Sequence, residues 1–105
     1  MDARVAAAKA LDDVIRQGRS LSAVLPQWQD KVAAKDRSLL QELCFGVARW
    51  YGRLDVIAAQ LLRKPFKAKD TDVRCLILVG LYQMLYLRVP DHAAVSETVS
   101  ATKAL

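Results

Sequence analysis

The 105 residues are enough for one domain and too few for two. Apolar residues make up 53% of the chain and aromatic residues only 7%, a mixture that favours close-packed helices over a β-sheet. Sixteen Lys and Arg against eleven Asp and Glu give a net charge of +5, which suggests a polyanionic partner but does not decide the fold.

Apolar residues at helical spacing predict an all-α domain of about six helices in chain order. Their approximate bounds are 2–17, 21–29, 37–50, 53–62, 71–87 and 91–103. The residues expected to cap or close these helices are Gly18, Ser20 or Ser22, Asp36, Asp70 and Pro90. Gly52 is expected to kink the chain between the third and fourth helices. The fifth helix is apolar nearly all round, so we expect it to be the buried central helix.

The two cysteines indicate a reducing compartment. Cys44 and Cys75 lie far apart in apolar runs and form no CxxC pair, so we expect buried, reduced thiols and no zinc site. The N-terminus lacks the apolar stretch of a signal peptide, and the most apolar run, 75–87, is too short to cross a bilayer. The chain is therefore expected to be soluble and cytoplasmic.

A complete catalytic site is not expected in this chain. Its single histidine, His92, follows Pro90 at a helix start, where a hydrogen-bonding cap is more common than a base or a ligand. The four glycines are isolated, so there is no phosphate-binding loop, and the acidic residues lack metal-ligand spacing. We therefore predict no catalytic, cofactor-binding or metal-binding residue.

Basic residues occur in three groups that are candidates for phosphate contacts. The groups are Arg4, Lys9, Arg16 and Arg19; Lys31, Lys35 and Arg37, with Arg49 and Arg53 beyond them; and Arg63, Lys64, Lys67, Lys69 and Arg74. Ordinary solvated surface is the alternative for each residue. Arg4 falls within the apolar sector of its helix, which indicates either a snorkelling stem in a frayed first turn or an arginine placed to meet a phosphate.

Three stretches carry a resemblance to a known family: KDRSLLQELCFGVAR at 35–49, LVGLYQMLY at 78–86 and VPDHAAVSETV at 89–99. Together they resemble the NusB-like N-terminal domain of the bacterial ribosomal RNA small-subunit methyltransferase B family, also called Fmu or Sun. The resemblance covers essentially the whole chain. It implies a NusB-like helical bundle, an RNA-binding fold shared with a transcription antitermination factor.

The same resemblance implies a parent enzyme that transfers a methyl group from S-adenosylmethionine to carbon 5 of a cytosine in small-subunit ribosomal RNA. Catalytic cysteines in that family lie in a separate C-terminal domain, in Pro-Cys and Thr-Cys settings. Cys44 follows Leu43 and Cys75 follows Arg74, so neither inherits that role. The family continues beyond Leu105 into a helix that completes the bundle, so we expect a truncated bundle over residues 1–105, an exposed apolar patch and self-association through it.

The leading hypothesis is an RNA-binding accessory domain that holds small-subunit ribosomal RNA by its backbone while the catalytic domain methylates a base. The predicted RNA contacts are Arg4, Lys9, Arg16, Arg19, Lys35 and Arg37. A stand-alone antitermination-type transcription factor is the second hypothesis. The third is a docking domain that packs against its own methyltransferase domain and does not contact RNA.

Overall fold

A computed structural model describes residues 1–61 and 67–105. This part of the chain contains six α-helices and no strand, which confirms the all-α prediction. The helices are α1 (Ala3–Gln17), α2 (Leu21–Gln29), α3 (Arg37–Arg49), α4 (Tyr51–Leu61), α5 (Thr71–Leu85) and α6 (Asp91–Thr102). Single 3₁₀ turns, Ala34–Asp36 and Ala68–Asp70, precede α3 and α5. Residues 63–66, half of the linker predicted at 63–70, lie outside the described residues.

Helix α1 begins and ends with local signals that the sequence contains. Asp2, predicted as a residue of the helix, is its N-cap, and its side chain accepts from the backbone N–H of Arg4 at 2.7 Å and of Val5 at 3.4 Å. Gly18 closes the helix as predicted, in the left-handed conformation with φ 65°. The first turn is therefore not frayed.

Four other caps were predicted from the sequence. The Ser20 side chain accepts from the backbone N–H of Ala23, which confirms Ser20 as the cap of α2. Asp36 and Asp70 precede α3 and α5 as predicted, but neither side chain makes a cap hydrogen bond, because each residue closes a 3₁₀ turn in a helix-like conformation. The cap predicted for His92 is wrong, since Pro90 holds the N-cap position and α6 has no side-chain cap.

Two predicted boundaries differ from the structure. The break between α3 and α4 falls at Trp50, and Gly52 lies inside α4 without ending it. Trp50 still donates its N–H to the carbonyl of Gly46 at 3.1 Å and accepts from Leu54 at 2.9 Å, so hydrogen bonding continues across the bend. Helix α5 ends at Leu85, two residues before the predicted Leu87.

Helices α1 and α5 form the centre of the bundle. Arg4 contacts Gln83 at one end, and Asp12 lies near Asp72 at the other, so the two helices run antiparallel. Small side chains on α1 allow close packing, and five of its alanines are buried: Ala3, Ala6, Ala7, Ala8 and Ala10. The prediction of a buried α5 is confirmed, but α1 shares the central position with it.

Two glycines let side chains of neighbouring helices pass at very short range. The Tyr82 ring of α5 crosses α3 directly over Gly46, where an added Cβ would fall inside the ring. The Thr98 hydroxyl of α6 sits over Gly80 of α5, 2.6 Å from where a Cβ would lie. Both glycines therefore let α5 pack closely against its neighbours.

Both cysteine thiols are free and fully buried, as predicted. Burial raises the pKa of Cys44 and that of Cys75 to about 12. The thiols therefore stay protonated near neutral pH and serve the core as small apolar groups. In the described part of the chain, no helix is both long enough and apolar enough to cross a membrane.

Candidate functional site

Basic side chains gather around the last turn of α2. The Trp28 Nε1–H donates to the Asp13 carboxylate of α1 at 3.0 Å, and this bond fixes the end of α2 against α1. Lys31 Nζ lies 4.5 Å from the centre of the Trp28 ring, a cation–π distance. The Arg37 Nε–H donates to the Gln29 carbonyl at 3.1 Å, which orients the first side chain of α3 towards α2.

We call Arg19, Lys31, Lys35 and Arg37 the α2 basic surface. Arg19 reaches it from the α1–α2 connection, because its Nη1 donates to the Gln27 side chain at 3.5 Å. Lys35 projects from the 3₁₀ turn before α3 and is exposed, as is Arg37. Two of the six predicted RNA contacts, Arg19 and Arg37, are therefore held against α2, and Lys31 joins them through its cation–π contact with Trp28. Lys35 is a neighbour in sequence, two residues before Arg37.

Lys9 lies on α1 one turn before Asp13, the residue that holds Trp28. Residues four apart share one helix face, so Lys9 lies on the side of α1 that meets α2. Its side chain is half-buried. Lys9 therefore extends the α2 basic surface along α1.

Arg4 lies at the junction of α1, α5 and α6, where its side chain contacts other residues of the fold. Its Nε–H donates to the side-chain oxygen of Gln83 at 3.0 Å, and its Nη2 lies 2.7 Å from Glu97 of α6. Its Nη1 lies 3.8 Å from Asp2, and only 18% of the side chain is exposed. The guanidinium does not snorkel from a frayed turn. It is held among carboxylates and joins three helices.

Arg16 is the sixth predicted contact, and it also has a carboxylate partner. Its Nε lies 2.9 Å from Asp12, four residues earlier on α1. Burial raises the pKa of Asp12, and Arg16 opposes that effect. Arg16 is exposed, but its positive charge is partly balanced by Asp12.

Aromatic rings and arginines form a second surface, where α3 and α4 meet the end of α5. The Trp50 and Tyr86 rings stack at 5.0 Å with an interplanar angle of 12°, and Tyr82 stacks on Tyr86 at 5.4 Å. Arg49 lies over the Trp50 ring at 5.4 Å, and Arg53 over the Tyr86 ring at 5.9 Å. We call these five residues the aromatic-arginine cluster.

Glu42 fixes the inner end of this cluster. The Tyr82 hydroxyl donates to it at 2.8 Å, and burial together with this contact raises the pKa of Tyr82 to about 12. Trp50 was not among the residues predicted to bind a ligand. The pairs Arg49–Trp50 and Tyr82–Tyr86 are visible in the sequence, but the stacking of Trp50 on Tyr86 joins residues 36 positions apart.

Sequence comparison places this fold among known proteins. The NusB family profile matches residues 1–105. The chain belongs to the NusB family.

Curated relatives of this NusB-family chain share one name, ribosomal RNA small subunit methyltransferase B. The chain is 55% identical over 105 residues to the Pseudomonas putida protein and 51% identical over 105 residues to the Pasteurella multocida protein. All of the chain is matched in both cases, against 24% of each relative. The Escherichia coli protein is 50% identical over 102 residues, 97% of the chain and 24% of that relative. The chain thus spans about a quarter of the length of these relatives, in their N-terminal region.

The described residues of this NusB domain offer binding surfaces and no metal centre. No group of three or more His, Cys, Asp or Glu in residues 1–61 and 67–105 is arranged to hold a metal ion. An apolar groove also runs between α5 and α6, lined by Ile77, Leu81, Met84, Val95 and Val99. Val95 and Val99 are 54% and 55% exposed, so an apolar patch is present, whereas self-association through it stays a prediction.

Proposed function

We propose that this NusB domain is the RNA-binding N-terminal domain of a methyltransferase that modifies small-subunit ribosomal RNA in the cytoplasm. The α2 basic surface is the observation that carries the proposal, because contacts draw Arg19, Lys31 and Arg37 from three segments of the chain towards α2, and the exposed Lys35 lies two residues before Arg37. Contacts of this kind hold the phosphate backbone and release counterions without reading bases.

The six predicted contacts take two positions in this proposal. Lys9, Arg19, Lys35 and Arg37 form the centre of the RNA contact, together with Lys31. Arg4 and Arg16 lie at its margin, because carboxylates already balance their charges.

The chemistry belongs to another part of the parent enzyme. S-adenosylmethionine would supply the methyl group, and carbon 5 of a cytosine would accept it. The glycines of this chain are isolated and its thiols stay protonated near neutral pH, so its own residues fit neither the methyl donor nor a nucleophile. The role proposed for this domain is to hold the RNA while a second domain reaches the base.

A salt titration tests RNA binding by the α2 basic surface. We expect the chain to bind a transcript of small-subunit ribosomal RNA with an affinity that falls linearly on a logarithmic salt scale. The double variant Lys35→Gln, Arg37→Gln should bind more weakly and lower that slope by about one to two, since each lost phosphate contact removes about one unit.

Lys103→Gln is the matched control, because Lys103 is exposed at the end of α6, a helix that packs on α5 and α1. It should leave both the affinity and the salt slope close to those of the unaltered chain. Absence of binding, or binding that does not change with salt, would refute the proposal and favour a domain that only docks on its own enzyme.

A NusB-type transcription antitermination factor is the second candidate, supported by the family match over residues 1–105. That role would use the same basic surface but would add a protein partner. The identities of 50–55% to methyltransferase B proteins favour the first candidate. Reading the gene beyond codon 105 separates them, since a Pro-Cys-containing domain supports the methyltransferase.

A further inference from the structure

We propose that the aromatic-arginine cluster is a stacking site for an unpaired nucleobase of single-stranded RNA. The inference rests on the proposed RNA-binding function and deepens it. In this proposal the α2 basic surface binds phosphates. Trp50 and Tyr86 provide the stack for a base, and Arg49 and Arg53 contact the adjoining backbone.

The ring geometry supports stacking. Trp50 and Tyr86 are nearly parallel at 5.0 Å, and Tyr82 continues the stack on its inner side. Tyr82 is anchored by burial and by its bond to Glu42, so the inner end cannot move readily. Trp50 is half-buried at the outer end, where a planar group would extend the same stack.

A base can take the place of an arginine that lies over one of these rings. Arg49 is exposed, and a cation–π contact at an exposed site is weaker than the stacking of a base on an aromatic ring. A base therefore displaces the Arg49 guanidinium from Trp50 with a net gain. The displaced guanidinium stays beside the base, where it pairs with the adjoining phosphate or stacks on the free face of the base.

Charge favours RNA over a protein partner for this surface. Tryptophan, tyrosine and arginine also dominate protein interfaces, so composition alone does not decide between the two. The two exposed arginines, however, bring two positive charges to the cluster, against the single negative charge of Glu42 at Tyr82. This excess suits a phosphate-bearing ligand. An unpaired base is required, because bases in a duplex keep their faces covered.

Trp50 fluorescence provides a direct test. The chain has two tryptophans, so Trp28→Phe leaves Trp50 as the only one. We expect a ten-nucleotide oligouridylate to quench this emission on binding, and a duplex of equal length to bind without quenching. Trp50→Phe is the matched control. It leaves only Trp28, which lies under Lys31 of the α2 basic surface, so any change in its emission should be the same for the single strand and for the duplex.

Affinity measurements add a second readout. Trp50→Leu should weaken binding of the oligouridylate by about five- to 150-fold, the range for loss of one base–aromatic stack, and leave duplex binding within about twofold. Circular dichroism at the assay temperature confirms that each variant is folded. Equal losses for both RNAs would overturn the stacking site, because they would mark Trp50 as a part of the fold alone.

The proposed function and this inference fail in different ways. Salt-dependent RNA binding without Trp50 quenching leaves RNA binding in place, overturns the stacking site and assigns the surface to a protein partner. Absence of any RNA binding overturns both. Quenching by the single strand that persists in Lys35→Gln, Arg37→Gln, with a lower salt slope, supports both and separates the two surfaces.

Discussion

Helix α5 packs closely against both α3 and α6, because a glycine makes room for a side chain at each contact. The surroundings of the two contacts differ. Against α3, a glycine admits the Tyr82 ring, and against α6, Gly80 admits the Thr98 hydroxyl. The α3 contact continues outward into a stack of aromatic rings with Arg49 and Arg53 on its faces. The α6 contact continues into Arg4, which is held by Glu97 and Asp2, and then into an apolar groove.

This comparison explains why some basic residues of the domain are available to an outside anion and others are not. An arginine that lies against rings keeps its full charge available to an outside anion, whereas an arginine that lies between carboxylates does not. Arg49 and Arg4 belong to these two types. The position of the acidic partners, more than the number of cations, decides which surface suits RNA.

Gly46→Ala should cause the largest loss of stability, because it breaks the α3 contact. The new Cβ would collide with the buried and hydrogen-bonded Tyr82 ring, which cannot swing aside. We expect the free energy of unfolding to fall by about 2–3 kcal/mol. Overpacking acts here at the top of its usual range, and the helix preference of alanine offsets only part of it. Urea unfolding followed by circular dichroism measures this change.

Gly52→Ala is the matched control for Gly46→Ala. Gly52 also lies within a helix, but a Cβ there would meet no atom within 4 Å. We expect a stability gain of up to about 1 kcal/mol from the better helix former. If both variants changed stability alike, Tyr82 would not be packed over Gly46 as described.

Arg4→Met should have an intermediate effect, because it removes the polar link of the α6 side while keeping most of the stem. Gln83 is 1% exposed, and its side-chain oxygen would lose the donor Nε–H of Arg4. A buried acceptor left without a partner costs about 1–3 kcal/mol, and we expect about 1–2 kcal/mol here. Thermal unfolding measured at neutral pH reports the loss.

Two variants show which contact of Arg4 matters. Glu97→Gln should cost no more than about 0.5 kcal/mol, because the Glu97 side chain is 42% exposed and such pairs are well screened. Arg16→Met should have a similarly small effect, since its pair with Asp12 is of the i,i+4 type and the Arg16 side chain is 44% exposed. A loss in Glu97→Gln as large as that in Arg4→Met would make the ion pair, and not Gln83, the main contact.

Local signals made much of this fold predictable. The apolar spacing indicated all six helices, and Gly18 and Ser20 marked two of their ends correctly, because a cap depends only on its immediate neighbours. Arg4 was ambiguous, since its partners Gln83 and Glu97 lie 79 and 93 positions away and no helical wheel of α1 contains them. The aromatic-arginine cluster was missed for the same reason, because helix packing brings Tyr86 to Trp50.

Gly80→Ala should have the smallest effect, and its size sharpens the contrast between the two sides of α5. The Cβ would lie 2.6 Å from the Thr98 hydroxyl, but Thr98 is half-buried and can change rotamer. Helix α6 can also shift outward, because its side chains Val95 and Val99 are largely exposed. We expect a net change below about 1 kcal/mol, after the gain in helix preference, together with faster hydrogen exchange confined to α6 amides. Adding Thr98→Ala should restore slow exchange. If Gly80→Ala lost as much stability as Gly46→Ala, and Thr98→Ala did not restore it, α6 would be held as rigidly as α3. The two contacts of α5 would then differ only in charge.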